Sequence, residues 1–310
     1  MNTPLVSICC ITYNHAQFIR KCLDGFLMQQ TNFPIEILIH DDCSTDGTTE
    51  IIREYEAKYP NLIFPLYEEE NQYQQGKAAE IDFYNYRRAR GKYIAYCEGD
   101  DYWTDLLKLQ KQVDFMEANP EYSVCFHACQ KYDVGRNKYI QRETLHEDCD
   151  IDLDVFLNSS QLAIAQPLTM LFRRSKLREE WKNYNSHYCD TVEITHLLLE
   201  GKGRFLSFNG GQYNSHTGGV CSSKSEIELS RYASDCAREL WEYTQNDFVR
   251  KFYINNVKWN LDVYGHNIKS KEYRKILRHS LQFNTAIRGY IFKYCIKKIL
   301  KKLMNNKQKI

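Results

Sequence analysis

Lys92-Tyr93-Ile94-Ala95-Tyr96-Cys97-Glu98-Gly99-Asp100-Asp101 decides the fold. It opens as a short, apolar, β-rich run and passes directly into a turn carrying three carboxylates. Reading outward, the pattern recurs. Leu5 to Thr12 (LVSICCIT) leads into Tyr13-Asn14-His15. Ile35 to His40 (IEILIH) leads into Asp41-Asp42-Cys43-Ser44-Thr45-Asp46-Gly47, and Leu62 to Tyr67 into the polar stretch Glu68–Gly76. Such apolar runs read as strands buried on both faces. Helix-period segments separate them: one reaching about Gln29, one bearing Ile51, Ile52, Tyr55 and Tyr59 behind the candidate N-caps Ser44, Thr45 and Asp46, and one over Lys77–Arg90 with Gly91 at its C′ position. Repeated strand–helix alternation predicts an α/β fold with a parallel, doubly wound sheet.

In such sheets ligands bind outside the carboxyl ends of the strands. Those ends carry Tyr13-Asn14, Asp41-Asp42 and Glu98-Gly99-Asp100-Asp101. Carboxylates gathered at one edge repel unless a cation joins them, and oxygen ligands suit Mg2+ or Mn2+, which would also hold a diphosphate. The competing reading of Glu98–Asp101 is an acidic turn before the helix from Asp105. Asp41-Asp42 reads either as a turn or as a carboxylate accepting hydrogen bonds from a nucleobase or ribose. Asp190, before an apolar helix, is either an N-cap or a base that deprotonates an acceptor hydroxyl. Tyr213-Asn214-Ser215-His216-Thr217-Gly218-Gly219 is either a surface loop or a lid that brings His216 to a ligand.

Further along, the expected elements are a helix over Asp105–Asn119, a strand over Ser123–Asp133, a charged surface excursion over Gly135–Asp150 and a strand over Thr169–Arg173. A helix over Asp190–Glu200, a strand over Arg204–Phe208, a Gly/Ser-rich loop over Gly210–Ser223 and helices from Glu226 to Leu303 follow. The division expected is a domain over 1–223 and a helical extension over 224–310.

The formal net charge of +1 implies no general attraction to nucleic acid. Twelve cysteines, several within apolar runs, read as reduced thiols in a cytoplasmic protein, since Met1 leads almost directly into a strand. No stretch is long and uncharged enough to span a bilayer. Residues 283–310 carry lysines and no acid, with Phe292, Ile296, Ile299 and Leu303 on one helical face. That pattern fits either a helix lying on an anionic membrane surface or a solvated basic face.

The motifs taken in order resemble family 2 glycosyltransferases of the GT-A fold. Leu5–Asn14 is similar to their opening strand, and Asp41–Thr48 to their second-strand signature, with Cys43 where glycine is usual. Gly91–Asp101 is similar to their metal motif, with Glu98 where its first acid is usually Asp. The resemblance implies that Thr12, Tyr13, Asn14, Asp41, Asp42, Glu98 and Asp100 contact the donor nucleotide. It implies a divalent metal, Mn2+ or Mg2+, at Asp100, Asp101 and His216. Asp190, in a Cys189-Asp190 pair, falls where the family has its base. A single inverting displacement from a nucleotide-sugar, often a UDP-sugar in this family, to a hydroxyl of a glycan or lipid-linked acceptor would follow, on the inner face of a membrane and in surface polysaccharide synthesis. A nucleotidyltransferase would show a glycine-rich loop after its first strand, and Tyr13–Gln17 has none. A non-catalytic binding protein of the same fold would keep nucleotide binding and lack turnover.

Overall fold

The computed structural model describes residues 3–141, 145–158, 165–184, 189–219 and 224–264, with 288, 289, 292, 293 and 296 beyond them. The chain divides into two compact units, Met1–Ser223 and Lys224–Ile310.

The first unit is built on β1 (Val6–Thr12), α1 (Ile19–Leu27), β2 (Ile35–Asp41), α2 (Thr48–Lys58), β3 (Ile63–Tyr67), α3 (Ile81–Arg88) and β4 (Tyr93–Tyr96). β5 (Tyr102–Trp103), α4 (Lys108–Ala118), β6 (Tyr122–Asp133), β7 (Lys138–Ile140), β8 (Cys149–Ile151) and α5 (Leu153–Asn158) follow, then β9 (Leu171–Arg173), α6 (Cys189–Glu200) and β10 (Lys202–Ser215). One sheet runs in the order β3-β2-β1-β4-β9-β6-β10-β5, with β7 on β6 and β8 on β10. The first four strands are parallel, as the alternation predicts. Beyond β4 the sheet becomes mixed: β9 runs antiparallel to both β4 and β6, while β6 and β10 are parallel.

Burial explains the sequence pattern. Val6, Ile8, Cys9 and Cys10 are wholly inaccessible, so β1 needs apolar side chains on both faces. The exception, Ser7, is satisfied: its Oγ donates to Glu36 Oε1 at 2.6 Å and accepts from the Gly91 N–H at 2.9 Å. This corrects the reading of Gly91. It does not cap α3, which ends at Arg88. It is a close-approach glycine, where a Cβ would stand 2.6 Å from Ser7 N.

Other expectations change locally. Gly47, with φ 101°, precedes α2, and Asp46 Oδ1 accepts from both the N–H and the hydroxyl of Thr48, so Asp46 is the one expected cap residue that serves α2's first turn. The charged 135–150 excursion contributes β7 and β8. The expected 204–208 strand extends to Ser215, so the Gly210–Ser215 part of the expected loop is strand. Its glycines are packing devices: a Cβ at Gly210 would meet the His127 ring at 2.6 Å, and one at Gly211 the Leu168 Cδ1 at 2.6 Å.

The second unit contains α7 (Glu226–Thr244) and α8 (Asp247–Tyr264). Ser225 and Glu228 form a capping box at the start of α7. Between the helices Trp241 stacks on Tyr253 at 5.9 Å, and Asn260 Nδ2 donates to Ser234 Oγ at 2.7 Å. Of the expected terminal helix only Phe292 and Ile296 among the named apolar positions are described, and both are exposed; Ile299 and Leu303 lie outside the described residues. No helix among the described residues is long and apolar enough to cross a membrane.

Candidate active site

The carboxyl ends of β1, β2 and β4 meet at one sheet edge. β1 and β2 are in register to their last pair, Thr12 and Asp41. After β4 the chain keeps following β1, with Cys97 N donating to Cys9 O at 3.1 Å and Gly99 N to Ile11 O at 2.8 Å. Glu98 and Asp100 are thereby set beside Thr12. Gly99 is required there, because a Cβ would stand 2.6 Å from Thr12 Oγ1. A cleft of ≈ 230 Å³ opens over this edge, and Thr12, Tyr13, Asp42, Glu98 and Asp100 line it. His15, Asn71, Tyr73, Gln74, Asn214 and Gly218 complete the wall.

The acidic turn is tied to the end of β10. Asp101 is inaccessible, and its Oδ1 accepts from Asn214 N at 2.7 Å. Asp100 Oδ2 faces His216 Nε2 at 2.9 Å and His15 Nε2 at 3.8 Å. Burial pushes the Glu98 carboxyl well above its usual range, with Asp100, Asp190 and Asp82 adding to the shift. Burial acts upward on Asp100 too. The His216 hydrogen bond and the nearby His15 and His216 imidazoles overcome it and hold Asp100 below the usual range. The donor set suits a hard divalent ion. Asp100 Oδ1 is buried with no hydrogen-bond partner among the described residues, and oxygens of Glu98, Asp100 and Asp101 lie within 4.8 Å of one another.

Two of the expected nucleotide contacts stand elsewhere. Asp41 is 1% exposed and does not line the cleft; Ser44 Oγ donates to its Oδ1 and Thr49 Oγ1 to its Oδ2, both at 2.5 Å. A carboxylate with both oxygens engaged holds the β2–α2 turn rather than a ligand. Asn14, at φ 56°, accepts from Thr45 N at 2.8 Å through its Oδ1 and locks the same turn. Asp42 does line the cleft, and its carboxylate accepts from Gln72 N at 2.6 Å and Tyr73 N at 3.1 Å. It therefore orders the loop that supplies Tyr73 and Gln74. Cys43 has φ 65°, the left-handed region that favours glycine. That is a physical reason for the glycine usual at this place in the resembled family.

Asp190 lies in the first turn of α6, half-buried, with Oδ1 accepting from Thr191 N at 2.7 Å. Burial raises its pKa against that hydrogen bond. Its charge adds to the upward shift of the Glu98 carboxyl. Beside Asp190 a small hollow of ≈ 20 Å³, about the size of one water, is lined by Asp82, Phe83, Tyr86, Trp181, Tyr184 and Glu193, among others.

His15, Asn71, Tyr73 and Gln74 were not singled out by sequence reasoning. Single polar residues in loops carry no periodic signal, and the strand end preceding His15 was the one clue to it.

Comparison with known proteins agrees with this geometry. The family model described as Glycosyl transferase family 2 matches residues 7–181, and the chain belongs to that family. It is 48% identical over 122 residues to the uncharacterized protein Rv1520 of Mycobacterium tuberculosis, a match covering 39% of this chain and 34% of that one. The match thus spans about a third of that relative's length. Over 234 residues it is 27% identical to an Escherichia coli protein, the UDP-Glc:alpha-D-GlcNAc-diphosphoundecaprenol beta-1,3-glucosyltransferase WfaP, covering 74% and 84% of the two chains. Among solved structures, Staphylococcus aureus TarS 1-349 with UDP superposes with a TM-score of 0.61 at 17% identity, covering 93% and 78% of the chains. The mannosyltransferase PcManGT of Pyrobaculum calidifontis, with GDP-Man and Mn2+, gives 0.54 at 17% identity, covering 98% and 88%. These likenesses establish the GT-A type of fold.

Proposed function

We propose that the protein is a metal-dependent, inverting glycosyltransferase that moves a sugar from a nucleotide-sugar, a UDP-sugar by preference, to a hydroxyl of a glycan or lipid-linked acceptor in surface polysaccharide synthesis. The observation that carries this reading is the acidic turn, with Asp100 Oδ1 buried and without a hydrogen-bond partner among the described residues, beside a cleft that Asp100, Glu98, Thr12 and Asp42 line together.

Thr12, Tyr13 and the Asp42-ordered loop receive the nucleoside, with Tyr73 offering a flat face to the base. Asp100, with Glu98 or Asp101 and His216, would hold the divalent ion. When bound, that ion neutralises the diphosphate and the charge that develops on the leaving nucleoside diphosphate. Asp190 takes the proton of the acceptor hydroxyl as its oxygen forms the new bond to the anomeric carbon and the bond to the diphosphate oxygen breaks. The raised pKa of Asp190 brings it nearer to that of a useful base at neutral pH. The basic segment 283–310 would bring the enzyme to an anionic cytoplasmic membrane surface, and its deletion should release the protein from vesicles containing acidic lipid.

The test is donor turnover. Purified protein is incubated with a panel of nucleotide-sugars in Mn2+, in Mg2+ and in chelator, and released nucleoside diphosphate is measured. Metal-dependent release from one donor supports the reading. No release and no metal-dependent nucleotide binding across the panel would make the protein a non-catalytic relative.

A further inference from the structure

We propose that His15 is a metal ligand, joining His216 and Asp100 so that two imidazoles stand beside the carboxylates of the acidic turn and favour Mn2+ over Mg2+. This rests on the metal-dependent reading above and adds a ligand and a metal preference to it.

His15 is pinned from every side except its Nε2. Its backbone N–H donates to Thr48 Oγ1 at 2.8 Å, and its carbonyl accepts from Phe18 N and Ile19 N, each at 2.8 Å, where α1 begins. Its Nδ1 meets the Oγ1 of Thr12, which is 3% exposed, at 3.2 Å. With Nδ1–H donating to that hydroxyl, Nε2 carries the lone pair. An outer hydrogen bond of this kind is what orients a metal-bound histidine. The free nitrogen points at Asp100 Oδ2, 3.8 Å away, too far for a hydrogen bond.

His216 approaches the same oxygen from the end of β10. Its ring packs on Phe18 at 4.7 Å and stands perpendicular to His15, centroids 6.1 Å apart. One nitrogen from each histidine and one oxygen from Asp100 lie within 4.8 Å of one another. Ligands about 2.1 Å from a shared ion stand about 3 Å apart when adjacent and about 4 Å when opposite. The observed 2.9 and 3.8 Å fall at those values.

The chemical consequence is selectivity. Carboxylates and water serve Mg2+ well, whereas imidazole nitrogen favours the first-row transition metals. Two imidazoles beside the carboxylates of the acidic turn therefore bias the site toward Mn2+.

The experiment is electron spin echo spectroscopy of Mn2+ on the full chain, with and without UDP, together with Mn2+ and Mg2+ affinities for wild type and His15→Asn. Wild type should show couplings to two imidazole nitrogens and His15→Asn to one. Loss of His15 should weaken Mn2+ about ten-fold or more and Mg2+ far less. The wild-type spectrum alone decides the matter if the variant does not fold. A single coupling, lost in His216→Asn, would overturn the His15 assignment and leave the metal-dependent reading intact. If no Mn2+ binds with or without UDP, the assignment and that reading fall together.

Discussion

Asn214 grips the acidic turn from across the sheet, its backbone N–H donating to Asp101 Oδ1 at 2.7 Å and its Nδ2 to the Asp100 carbonyl at 2.6 Å. These residues are more than a hundred positions apart. The contact exists because β5, directly after the turn, pairs antiparallel with β10, Tyr102 opposite Gln212. Asn214 is 5% exposed, so its hydrogen bonds form away from competing water. Asn214→Ala keeps the backbone bond and removes the one to Asp100. It should lower stability by about 1–2 kcal/mol and weaken Mn2+ binding, because the turn loses its fixed carbonyl. Thermal unfolding and a Mn2+ titration measure the two effects. Unchanged metal affinity would show that β10 does not position the turn.

Asp42 should act on donor binding through the loop it orders. Its carboxylate takes two backbone N–H groups, from Gln72 and Tyr73, at 3% exposure. Hydrogen bonds to a charged group contribute about 1.5–3 kcal/mol each, so even if only one bond's worth of loop order is lost to binding, Asp42→Ala should weaken nucleotide binding by roughly ten- to a hundred-fold. Amide exchange at Gln72 and Tyr73 should accelerate in the same variant. Weaker binding with those amides still protected would mean that Asp42 meets the ligand directly.

Asp190→Asn removes the base and keeps the shape. Transfer should fall by about 10²–10⁴-fold while calorimetric nucleotide affinity stays within a factor of two or so. In wild type, burial raises the Asp190 pKa, so the acidic limb of the kcat/KM profile should lie above the ordinary aspartate value of about 3.9. An equal loss of affinity and rate would point to a structural role for Asp190.

Much of this was readable beforehand, for definite reasons. β1, β2 and β4 are buried on both faces, so their sequences are mostly apolar runs, broken at Ser7 and Glu36 by a side-chain pair that satisfies itself, and the acids that follow them stand out. The C-terminal half of β10 was not readable. Gly210 and Gly211 imitate a loop in composition, yet each is there because His127 or Leu168 occupies the space of a side chain. Asp41 and Asp42 are chemically identical in sequence, and only the partners of each separate the residue that holds the β2–α2 turn from the one that lines the cleft. His15 lacked any pattern, since its meaning depends on His216, two hundred residues away.

Gly99 sets the spacing between β1 and the acids. A Cβ there would lie 2.6 Å from Thr12 Oγ1, 2.8 Å from Thr12 Cβ and 3.0 Å from Ile19 Cδ1. Thr12 is a buried, β-branched residue within a strand and cannot swing away without moving β1. Gly99→Ala should cost about 1–3 kcal/mol and displace the turn that carries Asp100. Urea unfolding and Mn2+ affinity should both report the change. A variant as stable as wild type would mean that the strand yields more easily than its burial implies.

Asp82 carries a pH dependence whose sign follows from its surroundings. Tyr96 donates to its Oδ1 at 2.7 Å, yet burial, with Asp190 adding, pushes its pKa up to about 6. An acid with a folded value above its unfolded value of about 3.9 binds more protons in the folded chain throughout that interval. Stability therefore falls as pH rises from the unfolded value through the folded one, and the loss is complete above it. Asp82→Asn keeps a carbonyl for Tyr96 and cannot ionise. The variant should melt above wild type at pH 8, with a gain that shrinks as the pH is lowered toward 4 and is gone well below it, where Asp82 is protonated in both states. Melting curves across that range test the sign, and a Tm difference that does not vary with pH would exclude ionisation of Asp82 as its source.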